Sequence, residues 1–208
     1  MVTQPSIEES AAMNADLAAA LASFHILSRD YERLLEFIHP SASNATTYSH
    51  RTYELLLRAC TEFESLAKIA STQLGITLPR DEPSIQDLSS LYEILDLAAI
   101  DVCVAPWTPE PILLKPLEQW NKKPHGLGWY RAYNRVKHNR VSAFPEASLL
   151  NTTYALAACF ALLVRLGAIV INVQSHIHVP NNRVQFKFPD LPVFIEVPET
   201  WKLINGGY

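Results

Sequence analysis

The sequence predicts a mainly α-helical protein: a bundle of two long antiparallel helices plus shorter helices, with a small C-terminal β-hairpin. Three observations carry this. Apolar residues recur at three- and four-residue steps over 8–38 and again over 48–74. An Ala- and Leu-rich stretch, 148–173, supplies a further and more buried helix. The period then changes to two over 183–188 and 193–197, as strands require.

In the first long helix the apolar series is Leu17, Leu21, Phe24, Leu27, Tyr31, Leu34, Leu35 and Ile38, ended by His39-Pro40 and a Ser/Asn-rich run. The second long helix closes at Gly75. Its main stripe is Leu55, Leu56, Ala59, Phe63, Leu66, Ala70 and Leu74, while Glu54, Arg58, Thr61 and Ser65 face away. A second stripe, Tyr53, Leu57, Cys60, Glu64 and Ala67, is apolar except for Glu64. A carboxylate in such a stripe calls for a partner. Lys68 is one candidate, four residues on; Arg131, Arg135 or His138 on another helix are the others.

Ser84-Ile85-Gln86-Asp87 resembles a capping box and predicts a short helix over 84–98. Four prolines within 101–119 predict an extended or irregular passage. A helix over 129–140 follows, broken by Phe144-Pro145. At the end of the chain, Pro189-Asp190-Leu191-Pro192 is the turn between two alternating strands, and 177–179 is a candidate third strand. The expected organisation is a helical bundle over 1–175, with 176–208 as a β-hairpin extension packed on the same domain.

Composition sets limits. The chain has 208 residues, 49% of them hydrophobic and 18% charged, which suits one substantial soluble domain. Its net charge of −4 argues against a general nucleic-acid coat but permits one local basic site. Cys60, Cys103 and Cys159 are widely spaced and odd in number, so buried thiols in a reducing, cytoplasmic setting are expected. No leader-like basic and apolar pair of segments opens the chain. The stretch 154–173 approaches membrane-spanning length, but Arg165 near its middle disfavours insertion by about 2.5–3.5 kcal/mol. No membrane association is expected.

The informative segment is 129–140, Trp-Tyr-Arg-Ala-Tyr-Asn-Arg-Val-Lys-His-Asn-Arg. No Asp or Glu lies between Glu118 and Glu146, whereas Lys122, Lys123, Arg131, Arg135, Lys137 and Arg140 all fall there. The window carries +6, and the rest of the chain −10. That asymmetry points to an anionic partner. On a helix, Arg131 and His138 are almost two turns apart and share a face, with Asn134 and Arg135 between them. Trp129, Tyr133 and Val136 form the adjacent stripe that seats the helix. The plain alternative is a solvated basic face, but the acids that normally alternate with Lys and Arg on such a face are missing.

No Gly-rich phosphate loop, HExxH or Gly-x-Ser-x-Gly motif is present. His176 and His178 would share a strand face, but no third ligand is spaced to complete a metal site. No metal or cofactor is expected. His25, His39 and His50 stand singly on helices or their ends and read as structural.

The order of parts resembles the HEPN superfamily of helical bundles. Two long helices lead, the second bearing Arg-Ala-Cys-Thr-Glu-Phe-Glu-Ser-Leu-Ala-Lys over 58–68; the basic helix and a hydrophobic helix follow. Nuclease members carry an Arg, four to six residues, then a His, and Arg131 and His138 have six between them. They usually place a polar residue directly after the Arg, where this chain has Ala132. The resemblance covers roughly residues 10–173. It implies metal-independent RNA cleavage at a homodimer interface, often in toxin–antitoxin or phage-defence systems with an antitoxin or other regulatory protein. On that reading His138 is general acid/base and Arg131 holds the scissile phosphate. Asn134 orients the phosphate or the His, and Glu64 supports the helix from below. Arg135, Lys137, Arg140 and Tyr133 contact RNA; Tyr130, Tyr133 and Trp129 are candidates to stack a base, with core anchoring the favoured alternative for all three. The chemistry is consistent with the residue types: an imidazole exchanges protons near neutral pH and a guanidinium stabilises developing phosphate charge.

The expectation is therefore an endoribonuclease or RNA-binding effector. The alternative is a non-catalytic interaction or nucleotide-binding module whose basic helix is structural. An exposed His138 favours the first; a buried and satisfied one favours the second. A nucleotide pocket requires a concave site beside Arg131 with an aromatic wall.

Overall fold

The computed structural model describes residues 7–104, 106–121, 126–166, 177–179, 183–187 and 193–198. It is mainly helical, with a small antiparallel sheet. Helix α1 (Ile7–Leu35) buries Phe24, Leu27, Tyr31 and Leu34 at the steps its sequence sets. Helix α2 (His50–Gln73) opens on a reciprocal cap: Thr52 N donates to Ser49 Oγ (3.1 Å) and Ser49 N to Thr52 Oγ1 (2.7 Å). Gly75, at φ +64°, turns the chain away from its end, a left-handed conformation suited to glycine. The stripe from Leu55 to Ala70 is buried as expected, and Glu54, Arg58, Thr61 and Ser65 are exposed. Leu74 departs from the stripe and is exposed, because it lies just beyond the last helical residue.

Helix α6 (Leu149–Arg165) is the most buried, with every side chain over 155–164 in the core. It lies beside α2 in register. Thr152 Oγ1 donates to Thr52 O (3.2 Å) and Cys159 Sγ to Ala59 O (3.2 Å), each across a separation of 100 residues. Tyr48 and Ser148, which precede the two helices, form a β-bridge at the same offset. A constant offset means that the two helices run in the same direction. Tyr31 of α1 is tied to Thr153 of α6 (2.8 Å), and Trp107 Nε1 donates to the Tyr31 hydroxyl (3.3 Å). Cys60, Cys103 and Cys159 are free and buried. No helix among the described residues is long and apolar enough to cross a membrane.

Several elements depart from expectation. The region 84–98 does not form one helix. Ser84 and Asp87 do make their reciprocal bonds, but only turns follow, then α3 (Leu91–Ile94) and a 3-10 turn at Leu97–Ala99. Asp96, at φ +46°, interrupts the helical path between them. The proline-rich passage, by contrast, is extended as expected, with two short strands, β1 (Asp101–Val104) and β2 (Ile112–Leu114). The basic helix, α4 (Gly128–His138), stops earlier than Phe144-Pro145 because Asn139 (φ −140°, ψ 64°) leaves helical geometry. A single turn, α5 (Arg140–Ala143), follows.

Strands β3 (Ile177–Val179), β4 (Arg183–Lys187) and β5 (Val193–Pro198) pair antiparallel, and β5 also pairs with β1. The sheet order is β2-β1-β5-β4-β3, so the hairpin extends a sheet begun much earlier in the chain. The remainder of the last helix expected to residue 173, the turn at 189–192, the bundle boundary at 175 and His176 lie outside the described residues.

Candidate functional site

Helix α4 packs against both α2 and α6 and divides cleanly into two faces. Trp129, Tyr130, Ala132, Tyr133 and Val136 are buried. Trp129 meets Phe63 edge-on at 5.1 Å and donates from Nε1 to Pro116 O (2.8 Å), which ties α4 to α2 and to the proline-rich passage. Ala132 is only 4% exposed. A polar side chain at that position would point into the core, so its small size follows from packing.

Glu64 faces α4, but its partner is not a cation. Tyr130 OH donates to Glu64 Oε1 at 2.5 Å. Among the described residues no ion pair joins Glu64 to Lys68, Arg131, Arg135 or His138. Tyr130 hangs from the same edge of α4 that faces α2 and reaches the carboxylate first. Burial and the neighbouring carboxylate push the Tyr130 phenol well above its ordinary range, so it remains a protonated donor. Tyr133 is also corrected as an RNA contact. It is 2% exposed, its ring lies in the core, tilted against Tyr130 at 5.3 Å, and its hydroxyl accepts from Lys137 Nζ (3.2 Å). That bond raises the Lys137 pKa. Trp129 and Tyr130 are core anchors for the same reason.

The cations of the segment 129–140 have different fates. Arg135 Nη2 pairs with Glu146 Oε1 (2.9 Å), the first acid after the basic window. Lys137 rests on Tyr133, its Nζ 5.2 Å from the ring centre. Beyond the break at Asn139, Arg140 turns back to α2: its Nη2 donates to His50 Nδ1 (3.0 Å) and its guanidinium lies over Tyr53 and Phe144 at 4.9 and 5.7 Å. Arg131 makes no side-chain hydrogen bond or ion pair among the described residues, and it is exposed. Asn134 is half-buried and His138 exposed, and both side chains are likewise unpaired among the described residues. The structure thus presents Arg131, Asn134 and His138 together to solvent on one stripe. Lys122 and Lys123 lie outside the described residues.

Chemically, such a stripe offers one guanidinium, one amide and one imidazole to an anion. It provides no set of carboxylates or thiols for a metal, and no metal-binding group of three or more such residues occurs among the described residues. A cavity of about 480 Å³ does exist, lined by Arg33, Phe37, Arg51 and Arg58 between the end of α1 and the start of α2. None of its lining residues belongs to α4, so it is not a nucleotide pocket beside Arg131. Arg58 and Arg51 there are already paired to Asp30 and Glu54.

From the sequence His50, Tyr53 and Phe144 have structural places only, and Tyr48 none beyond the start of the second helix. The structure gathers all four beside Arg140. The only local signal was aromatic density at a helix start, Tyr48-x-His50-x-x-Tyr53. No family model, curated protein or solved structure matches the chain.

Proposed function

We propose that the protein is a HEPN-type bundle, built on two long antiparallel helices, that binds RNA through Arg131, Asn134 and His138 and cleaves it without a metal. The observation that carries this is selective exposure. In a segment where Arg135 and Lys137 of α4 and Arg140 just beyond it are engaged within the chain, Arg131 and His138 stand free among the described residues, two turns apart on one face of α4. A solvated face with no ligand gives no reason for an acid-free window; a phosphate does.

In the proposed reaction the RNA 2′-oxygen attacks the adjacent phosphorus. The P–O2′ bond forms, the P–O5′ bond breaks and a 2′,3′-cyclic phosphate results. His138 takes the 2′-hydroxyl proton, and the departing 5′-oxygen gains one from water or from His138 of a second copy. Arg131 neutralises the charge that gathers on the non-bridging oxygens. Asn134 donates to the same phosphate. With one imidazole on the stripe of each chain, a homodimer pairing two such helices would supply both proton transfers. Regulation by a second protein, as in toxin–antitoxin or phage-defence systems, belongs to the same reading, as does a cytoplasmic setting.

The test is cleavage of single-stranded and transfer RNA in EDTA by wild type, Arg131→Ala and His138→Ala, with folding checked by circular dichroism. EDTA-resistant cleavage lost in both variants establishes the nuclease. Equal background in all three proteins refutes cleavage of those substrates. The second reading, a binding module that does not cut, is supported by the structural use of Arg135, Lys137 and Arg140. It predicts RNA binding that Arg131→Ala weakens, with no products formed.

A further inference from the structure

Just past the candidate stripe, a group of flat side chains faces solvent. Phe144 is its centre: Tyr48 meets it edge-on at 5.5 Å, while His50 and Tyr53 lie tilted to it at 5.1 and 5.8 Å. The guanidinium of Arg140 covers Tyr53 and Phe144. Tyr48 is 46% exposed, and His50 and Arg140 are exposed too. The local backbone does not need this cluster to hold its shape. Leu149 N donates to Thr47 O (2.8 Å) and Leu150 N to Ala45 O (3.0 Å), and the Tyr48–Ser148 bridge completes the tie. The ring surface that Tyr48 and His50 leave open to water, beside the Arg140 guanidinium and over a segment already fixed by backbone bonds, has the character of a binding face.

Its electrostatics select the ligand. Arg140 is always charged and can only donate, so His50 Nδ1 accepts and the imidazole carries its proton on Nε2, away from Arg140. The starts of α2 and α6, capped by Ser49 and Ser148, are held side by side here, and both bring the positive end of a helix. Arg140 follows His138 by two residues, so their Cα atoms lie within about 7 Å. A phosphate on the Arg131–His138 stripe would therefore place a neighbouring nucleotide against the rings.

We propose that Tyr48, His50, Phe144 and Arg140 form a shelf that stacks an unpaired nucleobase, which makes single-stranded RNA the substrate class of the Arg131–His138 stripe. This rests on the reading that the stripe binds RNA phosphate. Planar aromatic and guanidinium surfaces recognise splayed bases of any sequence, whereas a duplex keeps its base faces stacked and out of reach.

The test is equilibrium binding in EDTA of a short, unstructured, 2′-O-methylated oligoribonucleotide, which lacks the attacking hydroxyl. It is compared with an abasic strand of equal length and charge and with the corresponding duplex. Wild type should bind the base-bearing strand roughly 5- to 150-fold tighter than the abasic strand, the range expected for a stacked base. Tyr48→Ala/His50→Ala should erase that preference, while Tyr48→Phe should keep it. Equal affinity of wild type for the base-bearing and abasic strands overturns the shelf, as does a preference unchanged in the double variant or tighter duplex binding. Arg131→Ala separates the two readings. If it weakens both strands alike, the phosphate stripe stands whatever the fate of the shelf. If it changes neither strand while the base preference persists, the shelf stands and the stripe reading falls. If wild type binds no strand, both fall.

Discussion

Replacing Tyr130 with Phe isolates the bond that seats the candidate helix. The substitution removes the donor to Glu64 Oε1 and keeps the ring, with its contacts to Trp129 at 5.8 Å and Tyr133 at 5.3 Å. A hydrogen bond to a charged acceptor contributes roughly 1.5–3 kcal/mol in mutational series. Glu64 is half-buried, so water can partly replace the lost donor, and the expected destabilisation is about 1–2 kcal/mol. For a chain of this size that corresponds to a fall in Tm of roughly 2–8 °C. Adding Glu64→Leu should recover much of the loss, because an unsatisfied carboxylate is worse than no polar pair at all. The assay is denaturant unfolding followed by tryptophan fluorescence, run as a double-mutant cycle. A Tyr130→Phe variant within about 0.3 kcal/mol of wild type would refute the reasoning, as would a double variant destabilised by the sum of the two single changes. RNA binding should persist in Tyr130→Phe, since Tyr130 faces the core and Arg131 the solvent.

Three further outcomes follow from the same structure. The unfolded chain loses Tyr130's phenolic proton near pH 10 while the folded chain, with its raised pKa, holds it. Stability from this group is therefore complete below about pH 10 and lost as pH rises above it, so Tm between about pH 9 and 11 should fall less steeply in Tyr130→Phe than in wild type; parallel slopes would contradict this. Burial raises Cys60 and Cys159 well above the usual thiol range, and both should resist a thiol reagent until the protein unfolds; native-state labelling of either would count against the α2–α6 packing. The Asp87 carboxyl is held below its ordinary range by the Ser84 hydroxyl and amide, with Arg80 adding to the effect. Its stabilising contribution is present above the unfolded pKa and lost as pH falls through the folded one; a carboxyl NMR titration should show the low midpoint, and Ser84→Ala should raise it.

Periodicity made the framework legible. The steps along α1 and α2, the polar residues facing away on α2, and the division of α4 into a seated and a solvent-facing stripe all follow from side-chain spacing, which repeats every helical turn. What spacing does not encode is which distant element arrives. Glu64 advertised its need for a partner, but a tyrosine beside Arg131 met that need before any cation did. The break at Asn139 is a single backbone geometry within an otherwise helical pattern, and it sends Arg140 to rings ninety positions earlier. Tyr133 falls on the stripe that seats α4, which favours the core over a ligand, and the packing of α4 on α2 and α6 puts it there. The pairing of β1 with β5 likewise joins segments that carry no mutual signal in the chain.

Two neighbouring helices that point the same way cannot be joined by a tight turn. The 24 residues of α2 carry the chain roughly 36 Å from where α6 must begin. Everything over 74–148 is therefore a return journey, and the candidate stripe travels on it. Along that route the turns before α3 are mostly surface. Residues there can be gained or lost without changing the register of α2 against α6, because α4 keeps its own moorings at Pro116, Phe63 and Glu64. An insertion within α2, between Thr52 and Ala59, has no such freedom. One added residue would turn half of the pairing by about 100° and separate the two capped helix starts that bracket the aromatic shelf.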